Sequence, residues 1–203
     1  MNVKSGRLEV ITGPMFSGKT EELIRRVRRS EKARKNVQVL KPAIDGRHGA
    51  KAEIVSHDKS ILRATLVENY EHFKIVLNYG MHGYAFDEFQ FFDGRVFDDI
   101  FELYSEGKNI VVAGLNQNYK GEPFKLRDSD RHIGDLLVIA DDPVILTAEC
   151  DYLISGNERC GVVATRTQRI VKGNDLILVG GKEKYEPRCS KHHFVEHEQK
   201  IHL

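Results

Sequence analysis

The segment from residue 13 to residue 20 reads GPMFSGKT and is a complete G-x-x-x-x-G-K-[ST] phosphate loop. In such a loop, Gly13 and Gly18 let the backbone pass close to phosphate groups, so that its N–H groups point at their oxygens. Lys19 adds a positive charge near the β- and γ-phosphates, and the Thr20 hydroxyl is a ligand for Mg²⁺. The segment therefore predicts a nucleoside triphosphate and Mg²⁺ as ligands.

A pair of acidic residues, Asp87 and Glu88, follows the apolar segment Tyr84–Phe86. An acidic residue at the end of a strand beside a phosphate loop holds the hydrated Mg²⁺ ion, which predicts this role for Asp87. A carboxylate one residue later can accept a proton from an attacking hydroxyl group or water molecule. Glu88 is therefore the candidate general base. The alternative is that both are surface acids at a strand end.

Three cysteines and a histidine in the last third of the chain have the residue types of a zinc site. Cys189 and His192 are separated by two residues, a spacing that lets both bind one tetrahedral Zn²⁺ ion. Cys150 and Cys160 would complete a Cys₃His set, and a short hairpin with Ser155–Asn157 as its turn can span the residues between them. The alternative is that the three thiols are buried or free.

The elements that must position these residues alternate between strand-like and helix-like patterns over the first two thirds of the chain. Short apolar, β-branched segments predict strands, and apolar residues at helical spacing predict helices. The predicted strands are Leu8–Ile11, Val37–Leu40, the segment before Asp87, and Asn109–Leu115, with Leu136–Ala140 beginning a further strand; the predicted helices are Thr20–Lys35 and Phe92–Gly107. This order predicts an α/β fold with a mostly parallel sheet.

The pattern changes near Asp142–Pro143. Beyond it come short β-like segments, glycines, all three cysteines and a cluster of histidines. We therefore expect a phosphate-loop nucleotide-binding domain over residues 1–143 and a small C-terminal domain over residues 144–203.

Composition and charge argue against several other classes of protein. The 203-residue chain is 40% hydrophobic and 30% charged, with a net charge of +1. No segment approaches the roughly 20 apolar residues of a membrane span, and the N-terminal segment lacks the apolar run of a signal peptide. A cytoplasmic protein without a membrane partner is expected, and in that reducing compartment three cysteines argue against a disulfide set.

The same balance argues against a nucleic-acid partner, because binding through phosphate neutralisation needs a strong positive charge. The basic run over residues 25–35 contains no aromatic residue. We expect this run to form a solvated helix face or a subunit contact, rather than a surface that binds nucleic acid.

A series of segments, in one order, resembles the type II thymidine kinases over nearly the whole chain. Such an ordered series is much more specific than the phosphate loop alone. Beside GPMFSGKT, the matching segments are Lys41-Pro42 followed by Asp45 and Arg47, DE-x-QFF at 87–92, VAGLNQNYKGEPF at 112–124, LTAEC at 146–150, CGVVATRTQR at 160–169 and VGGKEKYEPRCSKHH at 179–193.

The resemblance implies a RecA-like nucleotide-binding domain and a small zinc-anchored domain whose loop, the lasso, closes over the nucleoside. It implies transfer of the γ-phosphoryl group of ATP to the 5′-hydroxyl group of thymidine, with deoxyuridine as an alternative acceptor. Mg²⁺ and a structural Zn²⁺ would be the cofactors. The resemblance also implies a homotetramer and feedback inhibition by thymidine triphosphate.

The resemblance further assigns residues to roles. Glu88 matches the proton acceptor. The nucleotide-binding segments match Gly13, Pro14, Met15, Phe16, Ser17, Gly18, Lys19, Thr20, Asp87, Glu88, Phe89 and Gln90. The thymidine pocket matches Met15, Phe91, Leu115, Tyr119, Phe124, Thr167, Leu178, Val179, Gly180, Gly181 and Tyr185. The zinc ligands match Cys150, Cys160, Cys189 and His192.

The chain departs from the family pattern at three places. The family usually has Ala or Gly where this chain has Phe89, and Asp where it has Asn116. It usually has C-x-x-C where this chain has the longer Cys150 to Cys160 segment. The first two departures leave the phosphate loop and Glu88 intact.

Two other classes of function compete with a nucleoside kinase. One is a nucleic-acid-handling ATPase in which Glu88 activates water, and the near-neutral charge and missing aromatic-basic tract argue against it. The other is a nucleotide-binding regulator without catalysis. The presence of Lys19, Asp87 and Glu88 together argues against this second class.

Overall fold

A computed structural model describes residues 6–43, 52–55, 59–173 and 175–195 of the chain. Asp45 and Arg47, which belong to one of the matching segments, lie outside this range. In chain order the elements are β1 (Arg7–Thr12), α1 (Lys19–Lys32), β2 (Val37–Pro42), β3 (Glu53–Val55), β4 (Ile61–Arg63), β5 (Thr65–Val67), α2 (Tyr70–Val76), β6 (Gly83–Phe86), a 3₁₀ turn (Phe89–Phe91), α3 (Val96–Ser105), β7 (Asn109–Gly114), α4 (Ile133–Ile139), β8 (Asp142–Ile145), β9 (Ala148–Glu149), β10 (Leu153–Ser155), β11 (Glu158–Arg159), β12 (Val163–Ala164), β13 (Arg166–Arg169) and β14 (Tyr185–Arg188).

The central sheet has six strands in the order β5-β2-β6-β7-β1-β8, and all its strand pairs are parallel. Its middle strands are buried on both faces, which explains why their sequences are continuous apolar runs. The predicted strands Leu8–Ile11, Val37–Leu40 and Asn109–Leu115 are all found here, within one or two residues. The predicted α/β fold with a mostly parallel sheet is therefore confirmed.

Helices cover both faces of this sheet. On one face α1 contributes Leu23, Ile24 and Val27 to an apolar cluster. On the other face α2, α3 and α4 pack side chains such as Phe73 and Ile100 around a larger cluster rich in phenylalanine. The two cores fix the strands from both sides, so that the loops at the carboxyl ends of the strands extend from a rigid base.

Two predicted helices are found with shorter bounds. The first ends at Lys32 instead of Lys35, because Ala33 and Arg34 complete a turn beyond it. The second begins at Val96 instead of Phe92.

The prediction of a strand over Leu136–Ala140 is wrong, because this segment belongs mainly to helix α4. His132 caps the helix start in a capping box, in which its backbone N–H donates to the Asp135 carboxylate over 2.9 Å. The buried residues Ile133 and Leu136 have helical spacing. The strand β8 begins only after this helix has ended.

The last strand of the main sheet lies at the predicted domain boundary. The predicted boundary at Asp142–Pro143 falls inside β8, whose residues pair with β1 from Glu9 to Thr12. We therefore propose that the first domain extends through Ile145. Among residues 6–43, 52–55, 59–173 and 175–195, the search for a helix that could span a lipid bilayer finds none.

One residue of the basic run is not part of a solvated face. Arg26 is only 5% exposed, and its guanidinium pairs with Glu9 of β1, Glu22 of α1 and Asp142 of β8. A buried arginine needs such partners because an unpaired buried charge is strongly unfavourable. Arg26 therefore joins α1 to two strands of the sheet, while Arg25 and Arg29 of the same run remain exposed.

The C-terminal region consists of three short antiparallel strand pairs. These are β9 with β12, β10 with β11, and β13 with β14. No helix occurs among its described residues, 146–173 and 175–195. A small cluster that contains Cys150, Ala164 and Cys189 forms its interior.

Candidate active site

The phosphate loop connects the carboxyl end of β1 to the first turn of α1. Gly13 has a φ angle of 145° and Gly18 one of 82°, backbone conformations that favour glycine. A Cβ atom at Gly13 would lie 2.3 Å from the carbonyl oxygen of Leu146, so the close approach of these two segments requires glycine. The Pro14 carbonyl accepts hydrogen bonds from the Ser17 hydroxyl (2.9 Å) and the Lys19 ammonium group (2.6 Å). These contacts fold the loop into a concave shape.

Thr20 and Asp87 lie next to each other at the edge of this loop. The Thr20 hydroxyl donates to the Asp87 carboxylate over 3.3 Å. Hydroxyl and carboxylate oxygens are the kind of ligand that Mg²⁺ takes beside a bound phosphate. The donor set therefore fits the predicted ion.

Burial strongly perturbs the charged groups at this position. It lowers the pKa of Lys19 to about 8, against the attraction of Glu88 and Asp87. It also raises the pKa of Asp87 to about 7; the negative charge of Glu88 adds to this effect, and Lys41 and Lys19 oppose it. A cation beside Asp87 would favour its ionised form, as a phosphate beside Lys19 would favour the ammonium form.

Glu88 follows Asp87 in a left-handed backbone conformation, with a φ angle of 53°. A residue other than glycine rarely adopts this conformation, which costs of order 1 kcal/mol and is concentrated at functional sites. The turn ends the strand abruptly and is followed at once by the 3₁₀ turn. Glu88 thereby faces the cavity next to the phosphate loop.

A cavity of about 380 Å³ lies between this edge of the sheet and the C-terminal region. Its lining combines the phosphate loop and the acidic pair with apolar and aromatic residues from the opposite side. The predicted site residues that line it are Met15, Phe16, Ser17, Gly18, Lys19, Thr20, Asp87, Glu88, Phe91, Leu115, Tyr119, Phe124, Thr167, Leu178, Val179, Gly180 and Tyr185.

The apolar side of the cavity is organised by aromatic residues. Phe91 packs edge-on against Phe124, with 5.6 Å between the ring centroids. The Tyr185 hydroxyl donates to the Leu178 carbonyl over 2.7 Å and thereby holds the segment that runs above the cavity. The cavity offers flat apolar surfaces and backbone polar groups, which suit a planar heterocyclic base.

One hydrogen bond connects the phosphate loop directly to the C-terminal region. The backbone N–H of Met15 donates to the Thr167 hydroxyl over 3.0 Å. Thr167 lies on β13, and its side chain is buried at this junction. Thr167 therefore connects the C-terminal region to the phosphate loop, and it also lines the cavity between them.

The structure brings the four predicted metal ligands together. Their ligand atoms all lie within 4.8 Å of one another, and the Nδ1 atom of His192 is 3.4 Å from the Cys189 sulfur and 3.8 Å from the Cys150 sulfur. Ligands on a tetrahedron with a Zn–S distance of about 2.3 Å would be about 3.8 Å apart. The Cys₃His cluster therefore has the composition and spacing of a structural metal site.

The unusual spacing between Cys150 and Cys160 is explained by the predicted hairpin. Strands β10 and β11 pair antiparallel, with their turn at residues 156–157. The Cys160 N–H donates to the Tyr152 carbonyl over 2.8 Å, which returns Cys160 to the cluster. The Tyr152 ring also stacks on His192, with 4.2 Å between ring centroids.

Two comparisons identify the relatives of this chain. The family model described as thymidine kinase matches residues 6–193. A thymidine kinase of Thermococcus kodakarensis (strain ATCC BAA-918 / JCM 12380 / KOD1) is 41% identical over 204 residues, which cover 95% of this chain and 96% of that protein. The chain belongs to the thymidine kinase family. As a member of that family it is an enzyme of the kinase class.

Not all predicted site residues of this thymidine kinase line the cavity. The five that do not are Gly13, Pro14, Phe89, Gln90 and Gly181. Gly13 and Pro14 instead determine the backbone path of the phosphate loop, Gly13 through its φ angle and Pro14 through its carbonyl group. Phe89 is fully buried in the larger core, where its ring packs against Phe86 and Phe92. Gln90 is also buried, behind Glu88.

Other residues of this family member line the cavity without having been assigned to the site. They are Glu21, Lys41, Val55, Gln117, Asn118, Leu176 and Ile177. Three of them could have been found from the sequence, because each lies just after a predicted strand. Lys41 follows Val37–Leu40, and Gln117 and Asn118 follow Asn109–Leu115. Leu176 and Ile177, which lie between β13 and β14, had no such signal.

Proposed function

We propose that the protein transfers the γ-phosphoryl group of ATP to the 5′-hydroxyl group of thymidine, with Glu88 as the general base. The observation that supports this best is the shared cavity. A phosphate loop and an acidic pair form one side of it, and an aromatic pocket closed by the C-terminal segment forms the other. A phosphoryl donor and a planar acceptor can therefore meet beside Glu88.

On the donor side, we propose that residues 13–20 bind the triphosphate of ATP. Backbone N–H groups of the loop and the amino terminus of α1 attract phosphate oxygens, and Lys19 supplies a positive charge. Thr20 and Asp87 would hold Mg²⁺, which neutralises charge on the phosphates when bound. Phe89 and Gln90 are excluded from direct nucleotide contact in this proposal because both are buried away from the cavity.

On the acceptor side, we propose that the thymine ring lies between Phe91 and Tyr185. Backbone groups of residues 178–180 would bind its polar edge, and the size of this space would exclude purines. Met15 and Thr167 would lie near the 5-position of the ring. Deoxyuridine, which lacks only the methyl group there, is expected to be a weaker acceptor because a single methyl group contributes about 1 kcal/mol.

The proposed reaction is a direct displacement. Glu88 orients the 5′-hydroxyl group and takes its proton as the 5′-oxygen forms a bond to the γ-phosphorus, while the bond from that phosphorus to the β,γ-bridging oxygen breaks. The products are thymidine monophosphate and ADP, and the proton leaves Glu88 for solvent. Because the phosphoryl transition state is loose, positioning contributes most of the rate enhancement.

Replacing Glu88 by Gln tests the role of the base. The amide keeps the size of the side chain but cannot accept the proton, and a positioned base contributes about 10²–10⁴-fold. We expect kcat to fall by that factor while the KM for ATP changes little. A matched control is Glu102→Gln on the exposed face of α3. A Glu88→Gln enzyme with more than about a third of the original kcat would contradict the role.

A second assay separates the three classes of function. ATP turnover is measured with thymidine, with DNA and with neither. Turnover that depends on thymidine supports the kinase, turnover that depends on DNA supports a nucleic-acid ATPase, and binding of ATP without turnover supports a regulator.

The family also suggests properties of the whole assembly. We propose a homotetramer, feedback inhibition by thymidine triphosphate bound across both sides of the cavity, and Zn²⁺ in the Cys₃His cluster. A cytoplasmic location is proposed because the three thiols of this cluster must stay reduced to bind a metal. Sedimentation and inhibition assays test the first two proposals.

A further inference from the structure

Gln90 lies directly behind the candidate base, between Glu88 and strand β7. It follows Glu88 in the 3₁₀ turn and is only 1% exposed. Glu88 lines the cavity, whereas Gln90 does not. Gln90 is therefore placed to act on Glu88 rather than on a ligand in the cavity.

Both ends of the Gln90 amide are hydrogen-bonded. Its Nε2 atom donates to Oε2 of Glu88 over 2.6 Å, and its Oε1 atom accepts from the backbone N–H of Leu115 over 2.9 Å. The backbone N–H can only donate, so the atom facing it must be the amide oxygen. The amide NH₂ group must therefore face the Glu88 carboxylate, and the orientation of Gln90 is unambiguous.

The neighbouring glycine of β7 makes this arrangement sterically possible. A Cβ atom at Gly114 would lie 2.7 Å from the Gln90 amide oxygen and 3.1 Å from the backbone nitrogen of Phe89. Strand β7 can therefore approach the turn closely only because residue 114 has no side chain. The amide is held between the strand and the turn, with little freedom to rotate.

We propose that Gln90 is a positioning residue that holds one oxygen of Glu88 and leaves the other to accept the proton of the acceptor hydroxyl group. This inference rests on the proposed role of Glu88 as the base. Lys19 of the phosphate loop and Asp87, which precedes Glu88 in the chain, are the charged groups that interact with this carboxylate.

The substitution Gln90→Glu separates positioning from simple packing. It keeps the shape of the side chain and an oxygen that accepts from Leu115, but it places a second carboxylate against Glu88. Like charges at this distance raise the pH at which one of them becomes protonated. We expect the acidic limb of the kcat/KM profile for thymidine to move to higher pH by about one unit or more.

The substitution Gln90→Met removes both hydrogen bonds without adding a charge. We expect kcat to fall about tenfold, as for one lost hydrogen bond to a charged group. The acidic limb should move less than in Gln90→Glu. In both variants the KM for ATP should stay within about twofold, because Gln90 does not contact the nucleotide.

The chain contains a matched control in Gln38. It is 7% exposed, its amide NH₂ group donates to the Val76 carbonyl over 2.8 Å, and its amide oxygen accepts from the Asn78 N–H over 2.9 Å. Gln38 pairs with Tyr84 near the amino end of β6, away from the cavity. Gln38→Glu and Gln38→Met should therefore reduce stability without moving the acidic limb.

Three results would overturn the inference. The first is an acidic limb of Gln90→Glu at the original pH, a readout that does not depend on the fraction of folded enzyme. The second is a raised KM for ATP with an unchanged kcat, which would make Gln90 a nucleotide contact. The third is an equal shift in the Gln38 variants. If Glu88→Gln itself retains activity, the proposed base fails instead, so the two failures are distinguishable.

Discussion

The two sides of the cavity are built in different ways. The sheet wall consists of the phosphate loop, Asp87 and Glu88, and it extends from strands that are buried on both faces. The residues just before it, Ile11 and Phe86, are fully buried in the two apolar cores. The positions of the reacting groups on this wall are therefore determined by the packing of the whole sheet.

The lasso wall consists of Thr167, residues 176–180 and Tyr185. Between β13 and β14 the described residues form no helix or strand, and Leu176, Ile177 and Val179 are 48%, 49% and 42% exposed. These apolar side chains are thus only partly buried, and low burial is typical of segments that open locally. Its position depends on a small number of polar and aromatic contacts.

This difference separates chemistry from substrate affinity. A change on the sheet wall should alter the reaction itself, because in the proposed function the groups there bind the phosphates and orient the acceptor hydroxyl group. A change in what holds the lasso wall should alter the binding of the nucleoside and leave the donor site intact. The hydrogen bond from Met15 to Thr167 is the point at which the two walls are joined.

Lys19→Ala should have the largest effect and should act on the sheet wall alone. The variant lacks the loop's only side-chain cation, so phosphorylation should be lost and ATP binding strongly weakened. Calorimetric binding of ATP and the phosphorylation assay measure the two effects. Lys32→Ala, at the exposed end of α1, is the control. Undiminished activity would mean that residues 13–20 do not bind the donor.

The sheet wall could be predicted largely from sequence. Buried parallel strands are continuous apolar runs, so Leu8–Ile11 and Asn109–Leu115 were recognisable, and the phosphate loop follows the first of them. Helix α4 was missed because its apolar residues form a short run that periodicity cannot distinguish from a strand. Its capping box was also hidden, since histidine is an unusual residue at that position.

Side-chain direction after a strand could not be predicted. The motif that contains Phe89 and Gln90 places them next to the acidic pair, but the left-handed turn at Glu88 directs both of them into the interior. A motif gives sequence positions, whereas burial depends on the turn that follows. In this chain Phe89 fills part of the core with an aromatic ring where the family usually has a small residue.

In the C-terminal region, only features with a local sequence signal could be predicted. The hairpin between Cys150 and Cys160 has a Gly-Asn turn that the sequence shows directly, and the hairpin is confirmed. The contacts that hold the lasso instead join residues far apart in the chain, such as Arg169 and Tyr119. No sequence pattern indicates such a pair, because neither residue type nor spacing is specific for it.

Cys189→Ser should have the second largest effect and should act on the lasso wall. The purified chain should contain about one Zn²⁺ ion, and loss of one thiolate ligand should release it, because four ligands are needed for a tight structural site. Strands β13 and β14 carry Thr167 and Tyr185 and are tied to the cluster through Cys189. Because loss of the metal releases both strands at once, we expect the KM for thymidine to rise by more than about thirtyfold and the KM for ATP to change less.

Metal analysis of the same preparations and the exposed variant Ser190→Ala provide the controls. Freshly purified, active enzyme without zinc would contradict the proposed metal. An equal rise in both KM values would instead contradict the separation of the two walls.

Replacing Arg169 should affect the lasso wall with the least effect on the sheet wall. It is 7% exposed, and its guanidinium lies 3.9 Å from the centre of the Tyr119 ring. It also donates to the Tyr185 hydroxyl (3.1 Å) and to the Gly173 carbonyl (3.2 Å). This one side chain thus connects the loop after β7 to Gly173 and Tyr185, which lie on either side of residues 176–180. Two of its partners, Tyr119 and Tyr185, line the cavity.

Arg169→Met keeps an extended side chain but removes the guanidinium. A desolvated cation–π contact contributes about 2 kcal/mol. If that contact holds the closed lasso, the KM for thymidine should rise about tenfold to thirtyfold. The KM for ATP should remain within about twofold, because no contact of Arg169 reaches the phosphate loop. Arg159→Met, at an exposed arginine of β11 that pairs with Asp151, is the matched control. A comparable loss of ATP affinity in Arg169→Met would show that the two walls move as one unit.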